Sequence, residues 1–191
     1  MRSRALSSAA VLAFIAALSL AQLRSALVQV PFAPETTAVD LTLMVPIVPV
    51  LIFAASYSSP LGRLERLHPR SMTTLRLVHV VLVLTVAELS AFGSLGRPWQ
   101  ENAAVGLNAL LLVGIALAAT VVSDGSLPWA APLMVVALCF FFGTSTETGT
   151  AYHWAVLLAG PTPLAAVSAG VTATVGVLAF VVRGPRTFRL S

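Results

Sequence analysis

The chain has 191 residues, of which 58% are hydrophobic and 9% charged, and a mean hydropathy of +0.93, so nearly every long segment is too apolar for a water-facing surface. That places it in the membrane class as one transmembrane domain over residues 1–191, with no length left for a soluble catalytic domain. All eleven basic residues are arginine and none is lysine, which excludes a Walker A loop and Schiff-base chemistry, and the arginines sit dispersed at the ends of apolar stretches, which argues against a nucleic-acid surface.

Six membrane spans are predicted, an all-α bundle with both termini cytoplasmic. The first covers residues 5–30, after Met1-Arg-Ser-Arg4. Ser19-Leu20-Ala21 also reads as a signal-peptide cleavage site, but apolar sequence resumes after Arg24, which favours an uncleaved span. The second span, 39–57, contains Pro46 and Pro49, which remove backbone donors and should kink or unwind it. A short loop follows, and the third span covers 74–95. The fourth, 103–122, ends at Ser123-Asp-Gly-Ser-Leu-Pro128; the fifth, 129–142, is short, and the sixth covers 163–182. Small residues recur at packing intervals, Gly114 and Ala118 in the fourth span and Ala166, Gly170 and Thr174 in the sixth. The single cysteine, Cys139, lies in an apolar run and supports no disulfide or CxxC site.

Orientation follows from arginine counting. With the N-terminus inside, Arg2, Arg4, Arg63, Arg66, Arg70, Arg76, Arg183, Arg186 and Arg189 lie on the cytoplasmic side, and Arg97 with Arg24 toward the outer side. Glu35, Asp40, Glu101 and Glu147 then fall outside.

Three stretches carry candidate function. In the loop after the second span, Ser59 is a good N-cap, Pro60 a good first helical residue, and Leu61, Leu64 and Leu67 recur at helical spacing before Pro69 stops the run. The pattern predicts an amphipathic helix over 60–68, whose polar side carries Arg63, Glu65 and Arg66 and which ends at His68. It suits a partner's groove, anionic headgroups or a plain surface helix. Glu88 is the one carboxylate inside a span. A charge there is expensive, so such an acid is neutralised by a proton, paired, here with Arg24 at similar depth, or used to fix helix packing. His79 lies nine residues earlier on the opposite face, ~13 Å away along the axis. His68, His79 and His153 fall at different depths, so no metal site is assigned. Third, residues 152–160 hold an apolar piece too short to span, flanked by Tyr152, His153 and Trp154 and by Pro161 and Pro163. The segment reads as a re-entrant half-helix with interfacial aromatics, or as an extended start to the last span.

Six spans with both ends inside, the amphipathic loop Ser59-Pro-Leu-Gly-Arg-Leu-Glu-Arg-Leu67, the broken outer hairpin before the last span and the closing Arg183-Gly-Pro-Arg186 together resemble the membrane subunit of a type-2 ABC exporter, of the small arginine-rich actinobacterial kind. The resemblance implies a permease in the bacterial plasma membrane, with a second membrane subunit, identical or not, and a separate ATPase that binds ATP and Mg. It implies no catalytic residue and no cofactor in this chain, a coupling helix at Pro60 to His68 and a re-entrant segment at Tyr152 to Gly160. Two other readings stay open on the residues alone. A proton- or cation-coupled carrier would use Glu88 as its titrating group beside the broken second span, and a noncatalytic accessory subunit would use Glu88 only for packing.

Overall fold

The computed structural model describes residues 27–29, 38–57, 69–92, 98–123, 128–145, 147–148, 150–158 and 160–184. Among the described residues the regular elements are helices and one short antiparallel ribbon, in which β1 (Leu27–Gln29) pairs with β2 (Ala38–Asp40). Residues 27–29 therefore do not continue the helix expected to run to Val30, and the expected second span does not begin as helix at Val39. The reason is in the sequence: Pro31 and Pro34 cannot continue a helix, and an alternating Leu-Val-Gln-Val is a fair strand.

A 3-10 turn over Leu41–Met44 follows β2. Helix α1 (Ile47–Tyr57) starts directly after Pro46 and takes Pro49 into its first turn, where neither proline removes an intrahelical bond. The two prolines start the helix, and the unwinding expected of them lies ahead of it. Helix α2 (Pro69–Phe92) is followed by α3 (Trp99–Val122), α4 (Ala130–Phe142) and α5 (Pro163–Arg183). Both α1 and α4 are short, at 11 and 13 residues, or ~16–20 Å. Each carries a buried proline in its first turn, Pro49 and Pro132.

Helix α3 is the axis of the fold and packs against every other helix. It is rich in Ala and Leu, carries no proline inside its length, and contributes Ala109, Leu112, Val113 and Leu117 to the core. Its longest contact is with α5, through two glycines. A Cβ built on Gly114 would lie 2.6 Å from Thr172 O and Ala173 N, and one on Gly176 would strike the Gly114 carbonyl. The backbones touch there, as helices in apolar surroundings do when small residues face each other. The stripe of α5 that makes this contact is Ala165, Ala169, Gly176 and Phe180. The expected stripe Ala166, Gly170 and Thr174 faces outward instead, and nothing lies within 4 Å of a Cβ at Gly170.

Among the described residues two helices, α3 and α5, are long and apolar enough to cross a membrane by length and composition. They differ in setting: 67% of the apolar stretch of α3 is buried within the protein against 22% for α5. The outer side of α5 shows a continuous row of Leu164, Val167, Val171, Val175, Leu178 and Val182, a face suited to hydrocarbon or to another helix.

The ends of α5 are well specified. Thr162 caps the N-terminus by accepting a hydrogen bond from Ala165 N at 3.1 Å, with Pro163 in the first turn. At the other end Gly184 adopts φ 70°, a left-handed conformation that favours glycine. Its Cα lies under the Arg76 guanidinium of α2, which a side chain there would have to displace. Arg76 Nη1 donates to Val181 O at 3.2 Å, so a cation from α2 satisfies a carbonyl in the last turn of α5.

Candidate functional site

The short helices α1 and α4 leave two irregular stretches, the 3-10 turn with Val45 and Pro46, and the connection from Gly143 to Thr162. The second folds back on itself. Thr144 and Ala151 form a β-bridge, Ser145 N donates to Thr150 O at 2.9 Å, and Tyr152 N donates to Gly143 O at 2.8 Å. Two successive turns follow, with Ala155 N bonded to Tyr152 O at 2.9 Å and Leu158 N to Ala155 O at 2.8 Å. The segment is thus a pair of tight turns over residues 152–158, and not the half-helix expected there. Its packing is dense: Ala155 and Leu157 are buried, and a Cβ on Gly143 would lie 2.8 Å from Ala155 Cβ and 2.9 Å from Leu158 Cδ1.

Asn108, on α3, joins the two irregular stretches. It is buried, and its Nδ2 donates to Leu43 O at 3.1 Å and to Leu157 O at 3.0 Å. Both amide protons are thereby spent on backbone carbonyls that no helix satisfies. Asn108 is the tenth residue of α3, ~14 Å along its axis. Irregular backbone therefore reaches well into the bundle at this point, and one side chain holds it from two directions. A single amide with two protons can bridge two carbonyls; a hydroxyl, with one proton, cannot.

The predicted residues are distributed around this node. Glu88 lies near the far end of α2 and faces α3 at Gly106, where a Cβ would come 3.0 Å from Glu88 Oε2. Its other oxygen, Oε1, is buried and has no hydrogen-bond partner. His79 does not approach Glu88. It packs edge-on against Phe53 of α1, with ring centroids 5.8 Å apart. Tyr152, His153 and Trp154 are exposed at the mouth of the fold-back, and the Tyr152 and Trp154 rings stack at 6.2 Å with 12° between their planes. Arg24 and the loop Leu61, Arg63, Leu64, Glu65, Arg66, Leu67 and His68 lie outside the described residues. Among the described residues no three His, Cys, Asp or Glu side chains come together as metal ligands would.

Asn108 is the residue that sequence reasoning missed. In the apolar run Ala103–Val122 it is the one amide, and the argument that singled out Glu88, a polar group where polarity is expensive, applies to it as well. Chemically, the arrangement offers hydrogen bonding to backbone, one carboxyl in a helix crossing and an aromatic pair at the rim.

No family model, no curated protein and no solved structure matches this chain.

Proposed function

We propose that the chain is the multi-pass permease subunit of an ABC-type export system in a bacterial plasma membrane, forming part of a translocation path and driven by a separate ATP-binding subunit. The observation that carries this reading is the Asn108 node. Non-helical backbone at membrane depth is tolerated where it is buried in protein or lines a path, and transporters use such interrupted segments near the midplane. Here two interrupted segments meet ~14 Å along the central helix, and one of them is the fold-back before the last helix, where the exporter resemblance implies a re-entrant segment.

The contacts also fit the arginine-based orientation, with α1, α3 and α5 running inward and α2 and α4 outward. Leu43, Asn108 and Leu157 then share the outer half, while Arg76, Val181 and Gly184 share the cytoplasmic end. Each of these long-range bonds joins groups that the orientation places on the same side. The lysine-free sequence leaves nucleotide hydrolysis to a partner. The exposed row on α5 gives a membrane face for lipid or for a second subunit.

Affinity purification of the full chain from its native membranes in mild detergent tests the reading. A nucleotide-binding ATPase should accompany it in stoichiometric amount, and the chain alone should hydrolyse no ATP. Transport by the purified chain alone in liposomes, driven by an ion gradient, would establish the carrier and end the exporter assignment.

A further inference from the structure

Glu88 takes no part in the Asn108 node. It is somewhat more than half a turn out of phase with it, since Gly106, the residue it faces, precedes Asn108 by two positions on α3, ~200° around the helix. Its surroundings are well defined. Oε2 rests against the bare Cα of Gly106, at a distance that a methyl group would crowd to 3.0 Å. Oε1 is shut off from solvent and receives no hydrogen bond.

The helices packed against α2 are α1, α3 and α5. Their titratable or charged side chains are Tyr57 on α1, Glu101 on α3 and Arg183 on α5; α2 itself carries Arg70, Arg76 and His79. Among the side chains the structure describes, none donates to Oε1. Arg76 is spent on the end of α5, twelve residues or ~18 Å from Glu88 along the axis, and His79 packs against Phe53. A carboxylate anion with one buried oxygen facing no donor is costly in an apolar crossing, whereas a carboxylic acid places a neutral group there. A metal cation would need several oxygen ligands, and among the described residues no three His, Cys, Asp or Glu side chains come together. The glycine opposite leaves room for Oε2 at the helix crossing.

We propose that Glu88, seated against Gly106 in the α2–α3 crossing, is a proton-binding site of the membrane domain, separate from the Asn108 node. The proton neutralises the carboxyl, and its loss places an uncompensated anion between two packed helices and drives them apart. This site stands or falls independently of the exporter reading, because its test reads chemistry at one side chain and not transport.

The probe is dicyclohexylcarbodiimide, an apolar reagent that modifies carboxylic acids and not carboxylates. The acid proton moves to one carbodiimide nitrogen as the carboxyl oxygen adds to the central carbon, and acyl migration to nitrogen gives a stable N-acylurea with no leaving group. Native membranes bearing the full chain are treated over a range of pH, and peptides are read by mass spectrometry. Glu88 should gain one adduct, the yield should fall as pH rises, and Glu88→Gln should abolish it. Glu101 and Glu147, both exposed, should react instead with a water-soluble carbodiimide and an added amine. Absence of an adduct on wild-type Glu88 across that range overturns the proposal. An adduct that forms only in Arg24→Gln also overturns it, since it would identify Glu88 as half of an ion pair.

Discussion

Asn108 shows how much one buried amide controls in this fold. Replacing it with alanine strands two carbonyls, Leu157 O in a buried bond and Leu43 O in a part-buried one. A buried polar group left unsatisfied costs about 1–3 kcal/mol, so Asn108→Ala should lower the midpoint of unfolding in mixed detergent and SDS by an amount in that range. Asn108→Asp should be worse than alanine, because an ionised carboxylate sets an acceptor against two acceptors. Equal stability of all three proteins would mean that the fold-back is held by its own turns. The chain's polar minority was readable in this sense. Glu88 stands out because it is charged and solitary, whereas Asn108 hides behind an amide's ordinary polarity. What no sequence pattern supplies is the partner: that Asn108 meets Leu43 and Leu157 depends on contacts 65 and 49 residues away.

At the scale of elements, the helices that hydropathy locates are those long enough to stand alone, such as α3 and α5, whose bounds lie within a few residues of expectation. The phase of their packing is a different matter. Helix α5 carries Ala, Gly, Ser or Thr at residues 165, 166, 168, 169, 170, 172, 173, 174 and 176, so small residues occur on every side and spacing cannot choose among them. The closest crossing chooses, and it selects Gly176 over Gly170. Gly176→Ala would push a methyl into the Gly114 carbonyl, an overpacking that costs about 1–3 kcal/mol where backbone must move. Gly170→Ala meets nothing within 4 Å and should leave stability unchanged or slightly raised. The same SDS titration decides between the two, and a larger loss from Gly170→Ala would place the α3–α5 contact on the other stripe. The ribbon of β1 and β2 and the tight turns of residues 152–158 were harder to foresee, because short apolar pieces satisfy strand, turn and half-helix patterns equally well.

For the whole molecule, the two long-range anchors, Asn108 at one level and Arg76 at the other, make sidedness testable through the loops. Single cysteines placed in a Cys139→Ala background at positions 101 and 147 should react with an impermeant maleimide added to whole cells. A cysteine at position 66 should react only after the membrane is opened, and reaction from outside would invert the orientation. Sidedness in turn decides where an ATPase would dock. On the proposed orientation the loop between α1 and α2 is cytoplasmic, and its sequence carries a leucine stripe, Leu61, Leu64 and Leu67, beside Arg63 and Arg66. Burying one leucine contributes about 1.5–3 kcal/mol, whereas an exposed ion pair contributes about 0–1 kcal/mol, so the leucines should dominate affinity and the arginines should steer encounter. Leu64→Asp should therefore release the ATPase while the bundle still inserts, as read by unchanged maleimide accessibility at 101 and 147. Arg63→Gln should weaken binding much less and mainly at low salt, where screening is weakest. Stoichiometric copurification of the ATPase with Leu64→Asp would show that this loop rests on the lipid surface and that coupling enters the bundle elsewhere.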